Sequence, residues 1–144
     1  MGFDEFLKFK KLDPKTKIFY PIMPGDVGYD FCSIEDVVIK SKSSARIRTG
    51  LSIEIPENYW VVVRTRSSYG IKNNLQLHHG TIDSSYRGEI TVKVFNHGNE
   101  DYKITCGDRI AQLVILPKIT LPLKEVKELT QTERGFSGMG STGK

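Results

Sequence analysis

Residues 91–95 read Thr-Val-Lys-Val-Phe, a run in which polar and apolar side chains mostly alternate. Successive side chains of a β-strand point to opposite faces of its sheet, so this period of two predicts a strand with one buried and one wet face. The run 46–55 has the same character, and its apolar members are Ile47, Leu51, Ile53 and Ile55. Both runs therefore indicate a sheet protein.

Further short runs of β-branched or aromatic residues, bounded by Gly, Pro, Asn or Asp, recur about every ten residues, a spacing typical of all-β domains. The predicted strands are residues 17–20, 37–39, 45–55, 60–64, 89–96, 102–104 and 110–116. A short helix is expected at 67–74, where Arg-Ser-Ser precedes Tyr-Gly-Ile-Lys and a loop-like Asn-Asn pair. The predicted fold class is all-β with at most one short helix.

The composition fits one compact domain, because 144 residues with 38% apolar and 26% charged content can bury a single core. No window approaches the roughly 18 apolar residues of a membrane-spanning helix. The N-terminus lacks the apolar run of a secretory signal. We therefore expect a soluble, intracellular protein with no membrane partner.

The net charge of +4 is compatible with nucleic-acid binding, but the Lys and Arg residues are scattered among 17 acids. A solvated surface is the better interpretation, so no nucleic-acid partner is expected, although part of the charge could serve a small polyanion. Cys32 and Cys106 stand far apart without a CxxC motif, which indicates neither a zinc knuckle nor a redox pair. We expect two reduced, half-buried thiols.

Residues 80–89 read Gly-Thr-Ile-Asp-Ser-Ser-Tyr-Arg-Gly-Glu and place the carboxylate of Asp83 three residues before the aromatic ring of Tyr86. In isolation, Asp83 would be interpreted as an acid that binds turn amides. The preceding pair, His78 and His79, suggests a metal site, but successive strand residues face opposite sides and no third ligand is visible. Surface or partner-contacting histidines are favoured.

Residues 134–144 read Arg-Gly-Phe-Ser-Gly-Met-Gly-Ser-Thr-Gly-Lys, with four glycines in eleven residues. This segment has too little apolar mass to fold alone, so it is either disordered or ordered by a ligand.

Five separated segments together carry a family resemblance. They are residues 24–31 (Pro-Gly-Asp-Val-Gly-Tyr-Asp-Phe), 66–70 (Arg-Ser-Ser-Tyr-Gly), the hairpin 80–88, 107–113 (Gly-Asp-Arg-Ile-Ala-Gln-Leu) and 134–143. They follow the order found in the dUTPase family, and five motifs in order are hard to obtain by chance. Over most of its length, the chain therefore resembles that family.

The resemblance implies a distorted jelly-roll-like β-barrel or sandwich over residues 1–133, followed by a flexible, glycine-rich C-terminal arm over 134–144 that closes over the active site. It also implies a homotrimer with shared active sites. The implied reaction is hydrolysis of dUTP to dUMP and pyrophosphate with Mg²⁺, which limits uracil incorporation into DNA and supplies dUMP for dTMP synthesis.

The same resemblance implies the chemistry. Asp83 matches the carboxylate that orients and deprotonates water for in-line attack on the α-phosphorus, while Mg²⁺ offsets developing charge. Asp30 would hold the Mg²⁺ through water, because this ion dehydrates reluctantly. The alternative for Asp30 is a carboxylate that caps a strand end.

Arg66, Ser67 and Ser68 resemble a phosphate cradle, in which a forked guanidinium and hydroxyl or amide donors meet phosphate oxygens. Gln112 matches a glutamine that binds a phosphate oxygen. The alternatives are an ordinary strand-end tripeptide and a glutamine that satisfies neighbouring backbone groups.

Tyr86 matches the tyrosine that packs under the deoxyribose, where a 2′-hydroxyl would clash; its alternative is a core strand aromatic. The hairpin backbone around Leu77 to Thr81 would pair with the uracil edge, and Gly80 and Ile82 are among the expected substrate-binding residues.

In the arm, Arg134 would bind the γ-phosphate, while Gly140, Ser141 and Thr142 would donate hydrogen bonds. A plain flexible terminus is the alternative. Met139 stands where the family usually has an aromatic residue on the uracil; a thioether can still cover a base, or Phe136 substitutes.

Two competing functions are less favoured. A dCTP deaminase shares the fold and hairpin but needs a glutamate where this chain has Arg87, and arginine stays protonated. A regulatory binding module that lost catalysis would not need every proposed catalytic residue, and all of them are present.

Overall fold

The computed structural model describes residues 5–78 and 80–140. Its elements in chain order are β1 Lys8–Lys11, β2 Gly28–Cys32, β3 Val37–Ile39, β4 Ser44–Glu54, β5 Tyr59–Arg64, α1 Ser67–Asn73, β6 Leu75–Leu77, β7 Gly80–Ile82, β8 Ile90–Asn96, β9 Tyr102–Ile104 and β10 Arg109–Pro117. Strands dominate and α1 is the one helix within these residues, which confirms the predicted fold class.

The strands form two four-stranded sheets and one two-stranded ribbon. One sheet has the order β1-β4-β8-β6, the other β2-β10-β5-β7, and the ribbon pairs β3 with β9. Every pairing is antiparallel. Both larger sheets keep two open edges in the described chain, so the fold is a sandwich and not a closed barrel.

The core lies between the two larger sheets, because their inward side chains belong to one hydrophobic cluster. Alternation is clearest in β8, where every second residue is buried. The largest fully buried apolar side chains are Phe31, Ile39, Ile47, Leu51, Leu75, Leu77, Ile104, Ile110 and Leu113. Burial of a Leu, Ile or Phe contributes about 1.5–3 kcal/mol each, which makes this cluster the main stabilising feature.

Most predicted strands are present within one or two residues of their predicted ends, and the predicted helix is α1. The predicted strand 17–20 is wrong, since only a bridge between Ile18 and Phe31 forms there. Pro21 follows and has no N–H to extend the ladder. The strands β1, β2, β6 and β7 were not predicted; all are five residues or shorter and lie at sheet edges.

Both cysteines are free, but neither is half-buried as expected. Cys32 is buried and burial raises the pKa of its thiol, whereas Cys106 is exposed. No described helix has the length and apolar character needed to cross a membrane.

A bulge in β4 depends on Gly50. The register between β4 and β8 shifts between Arg48 and Leu51, and Gly50 has a φ of 63°. A Cβ atom at this position would collide with Thr16 Oγ1. The backbone therefore requires glycine here for conformation and for space.

Asn96, at the end of β8, is a buried polar hub. Its Nδ2 donates to Ile39 O at 2.9 Å and to Glu100 O at 2.8 Å, and its Oδ1 accepts from Gly98 N at 2.9 Å. One side chain thus ties β8 to β3 and to the following turn.

We predict that Asn96→Ala lowers the free energy of unfolding by about 2–3 kcal/mol, because it leaves several backbone groups without partners. Urea denaturation at fixed protein concentration measures this difference. Asn99→Ala, at an exposed position of the same turn, is the matched control and should change stability by less than about 0.5 kcal/mol. An equally small loss for Asn96→Ala would contradict the hub role.

Candidate active site

The hairpin that follows β7 carries Asp83 and Tyr86. Asp83 comes directly after Ile82, and Tyr86 N donates to Asp83 O at 3.1 Å, which closes the turn. The Asp83 side chain is exposed. Among the described residues no hydrogen bond to its carboxylate is found, whereas the carboxylates of Asp13, Asp26 and Asp101 accept from backbone N–H groups.

The hairpin cavity has a volume of about 350 Å³ and lies between β7 and β8. Its lining includes three predicted site residues, Gly80, Ile82 and Tyr86. Tyr86 is 47% exposed, so it is not a core aromatic. Its hydroxyl donates to Glu89 O at 3.0 Å, and its ring lies so close to Gly88 that a Cβ there would collide with it. The ring is therefore held at the cavity wall.

The helix cavity, at the start of α1, has a volume of about 530 Å³. It brings together five predicted site residues from three separated segments: Asp30, Arg66, Ser67, Ser68 and Gln112. Gln112 Nε2 donates to Thr65 O at 3.2 Å. The cavity thus combines a guanidinium, hydroxyls, an amide and a carboxylate, a donor-rich set suited to an anion that arrives with a cation.

Asp30 is held by two guanidinium groups. Its Oδ2 lies 3.3 Å from Arg66 Nε and 3.2 Å from Arg109 Nη1, and its side chain is 13% exposed. Arg109 also lies over the ring of Phe19, 4.1 Å from the centroid. The carboxylate therefore takes part in an ion-pair network and does not act as the strand-end cap of the alternative interpretation.

Nothing in the sequence indicated that Arg109 contacts Asp30. It belongs to the segment 107–113, and the pairing of β10 with β2 puts Arg109 opposite Cys32 and Gln112 opposite Asp30. The missing information was this register, since no local pattern shows which strands are neighbours.

A buried tyrosine fixes α1 and with it the cradle residues. Tyr69 packs edge-on against Tyr102, with ring centroids 5.9 Å apart. Its backbone N donates to Arg66 O at 3.1 Å. Burial raises the pKa of the Tyr69 phenol above its ordinary value. Core packing thus sets the position of Arg66 and the serines that follow it.

The hairpin and the helix cavity are far apart in one chain. Asp30, Gln112 and Arg64 lie opposite one another across β2, β10 and β5. β7 pairs with β5 from Val63 to Val61, so each further residue of β7 lies farther from that row. Strand spacing and rise place Asp83 about 20 Å from Asp30. Catalytic groups must lie within about 3–3.5 Å of the reacting atoms, or be connected to them by one water molecule. The hairpin residues and the helix-cavity residues of a single chain therefore cannot act on the same small ligand.

The described part of the arm makes local contacts. Arg134 Nε donates to Ser137 O at 2.7 Å, and Gly135 N donates to Thr132 O at 3.1 Å. Phe136 and Met139 are fully exposed, and Gly140 follows with a φ of 93°. The structure does not bring Arg134, Met139 or Gly140 to either cavity. Ser141, Thr142 and His79 lie outside the described residues.

The donor set of the helix cavity fits Mg²⁺ bound together with a ligand. Within residues 5–78 and 80–140, no group of three or more His, Cys, Asp or Glu could cage a metal ion. The cavity lining does contain the carboxylates of Asp26 and Asp30. Mg²⁺ at phosphate sites is commonly held by one or two carboxylates, waters and substrate oxygens, which agrees with this arrangement.

Known proteins closely resemble this chain in sequence. The sequence model of the dUTPase family matches residues 15–143. A deoxyuridine 5′-triphosphate nucleotidohydrolase of Nautilia profundicola is 46% identical over 140 residues, covering 96% of this chain and 99% of that protein. The enzyme of the same name from Clostridium acetobutylicum is 42% identical over 139 residues, covering 95% and 96%.

Solved structures of dUTPases are similar to this chain in fold as well. The Staphylococcus bacteriophage 80alpha dUTPase with dUPNHPP superimposes with a TM-score of 0.90 at 31% identity, covering 96% of this chain and 98% of that one. A dUTPase variant of S. aureus phage phi11, described for its coordination of a structural Mg(II) ion, gives a TM-score of 0.82 at 28% identity, covering 88% and 99%. By fold, motif order and full-length similarity, this chain belongs to the dUTPase family.

Proposed function

We propose that this chain hydrolyses dUTP to dUMP and pyrophosphate. The observation that carries the proposal is the helix cavity, where donors from three separated segments converge on a space fit for a triphosphate. Relatives named deoxyuridine 5′-triphosphate nucleotidohydrolase support it. Acting on the intracellular nucleotide pool, the reaction would limit uracil in DNA and supply dUMP for dTMP synthesis.

The phosphates bind in the helix cavity. Arg66 presents a planar, permanently charged fork, which suits phosphate oxygens better than a flexible ammonium does. Ser67, Ser68 and Gln112 add hydroxyl and amide donors from the same lining. Arg109 binds the same oxygen of Asp30 as Arg66 does, so Asp30 would keep a partner when Arg66 shifts its contact toward the incoming phosphates.

The proposed cofactor is Mg²⁺, which Asp30 would hold through water. When bound, the ion supplies positive charge that offsets the negative charge developing on the phosphates. This role suits a carboxylate that two guanidinium groups already orient toward the cavity.

Asp83 is the proposed general base. Its exposed carboxylate accepts a proton from a water molecule as the water oxygen forms a bond to the α-phosphorus. The bond between the α-phosphorus and the bridging oxygen then breaks, and pyrophosphate leaves. Direct attack by water needs no covalent intermediate with the protein.

The hairpin cavity selects the nucleoside. Among the described strands β7 lies at a sheet edge, so one side of its backbone can pair with a base edge. Amide and carbonyl groups at Gly80 and Ile82 would match uracil and mismatch cytosine. The ring of Tyr86, held at the cavity wall, would lie under the deoxyribose and exclude a 2′-hydroxyl.

A homotrimer with shared active sites accounts for two further observations. The first is the distance of about 20 Å between Asp83 and Asp30, which a neighbouring copy would bridge. The second is the exposed apolar stretch after β10, whose residues Ile119, Leu121, Leu123 and Leu129 are 83%, 77%, 102% and 85% exposed. Exposed apolar residues of this number and size are typical of a surface that contacts another chain.

The arm would close over the bound nucleotide of a neighbouring copy as a unit distinct from the β domain over 1–133. Its exposed Arg134 would reach the γ-phosphate, and Gly140, Ser141 and Thr142 would donate further hydrogen bonds. Met139 would cover the uracil through its polarizable thioether.

The proposed function predicts strict substrate selectivity. Purified protein with Mg²⁺ should release pyrophosphate from dUTP at least about 100-fold faster than from dCTP, dTTP or UTP, because a hydrogen-bonding pocket rejects mismatched partners strongly. Chelation of Mg²⁺ should lower the rate for dUTP. Comparable turnover of dTTP would contradict the proposal, and ammonia from dCTP would indicate a deaminase instead.

The proposed mechanism predicts that Asp83→Asn lowers kcat by about 10²- to 10⁴-fold, with dUTP affinity and melting temperature little changed. The amide keeps the size of the side chain but cannot accept the proton from water. Turnover, affinity and melting temperature are measured on one preparation. Asp101→Asn is the matched control, because Asp101 accepts a backbone hydrogen bond from Ser41 in another turn. Near-normal turnover of Asp83→Asn would remove Asp83 from catalysis.

A further inference from the structure

Arg87 lies in the turn that carries Asp83, and the proposed reaction does not use its guanidinium. Its Nη1 donates to Ser84 O at 2.6 Å and to Tyr86 O at 3.2 Å. Its Nη2 lies 3.5 Å from Glu54 Oε1. A single side chain therefore connects two carbonyl groups of the turn to a carboxylate on β4.

The β4 side of this connection is itself anchored. Ser52 is buried, and its hydroxyl donates to Arg87 O at 2.6 Å. Glu54 accepts from Lys8 Nζ at 2.8 Å through Oε2, which leaves Oε1 for Arg87. Both the backbone and the side chain of Arg87 thus connect the turn to β4, a central strand of the sheet β1-β4-β8-β6.

The Asp83 carboxylate lacks any such support of its own. Within the described chain no hydrogen bond to it is found, so the backbone of residues 83–86 sets the position from which its rotamers can reach a ligand. Two of the carbonyl groups in that short backbone are bound by Arg87.

We propose that Arg87 is a positioning residue, whose guanidinium fixes the turn so that the carboxylate of Asp83 meets the attacking water in line with the α-phosphorus. The inference rests on the proposed role of Asp83 as general base. The planar fork directs donors from two separate nitrogen atoms to three acceptors, whereas a lysine ammonium offers its three donors from one flexible point. Misplacement of a catalytic group by about 1 Å can cost about 10²-fold in rate.

The test compares Arg87→Lys and Arg87→Gln with the wild-type protein and with Lys8→Met. Both Arg87 variants should lower kcat for dUTP about 10- to 100-fold while KM changes by less than about threefold. Hydrogen exchange of the Tyr86 amide, which donates to Asp83 O, should become faster, with the strands unaffected. Lys8→Met removes an exposed ion pair on the same Glu54 without touching the turn, so it should leave both quantities unchanged.

Several results would overturn the inference. Wild-type kcat in Arg87→Lys would show that charge at this position suffices. Reduced kcat with unchanged exchange at Tyr86 would separate Arg87 from the turn. Equal loss of protection throughout β4, β7 and β8 would make Arg87 a general structural residue. If the wild-type protein does not hydrolyse dUTP, the proposed function fails, and exchange at Tyr86 still decides whether Arg87 holds the turn.

Discussion

Antiparallel pairing of β10 with both β2 and β5 places Asp30, Gln112 and Arg64 side by side across one sheet. This register creates the helix cavity, because it brings a carboxylate and an amide from distant segments next to the start of α1. In the same sheet β7 lies at the edge opposite β2, and its register with β5 places the hairpin away from Asp30, Gln112 and Arg64. Strand geometry thus brings the residues of the proposed phosphate cradle together and places the proposed base about 20 Å from Asp30.

Charge balance in the helix cavity follows from the same register. Asp30 lies between Arg66 and Arg109, so the network holds one negative and two positive groups before any ligand arrives. The stacking of Arg109 on Phe19 fixes one guanidinium, while Arg66 remains at the cavity wall. The pair of Arg109 and Asp30 is thereby preorganised, while Arg66 can exchange its contact with Asp30 for one with a ligand.

Sequence patterns predicted what depends on local periodicity and motif order. The alternation in 91–95 gave β8, and the Arg-Ser-Ser segment gave α1 with the cradle residues. Features set by long-range pairing were not predictable: Arg109 acts on Asp30 across strands, and the missing strand at 17–20 reflects a single bridge beside Pro21. In the sequence, Arg87 only argues against a deaminase, which needs a glutamate at this position. Its contacts with Ser84 O and Glu54 were not predictable, because they form only in the folded turn.

We propose that dUTP is hydrolysed at a site built from Asp83 of one copy and the proposed Arg66 cradle of another. Mixed assembly of two inactive variants, Asp83→Asn and Arg66→Gln, after joint unfolding and refolding, tests it most directly. If the two residues act from different chains, random cyclic assembly should restore about one quarter of wild-type turnover. If each site lies within one chain, every mixed oligomer contains only defective sites. A mixture as inactive as its two components would therefore contradict a site shared between chains.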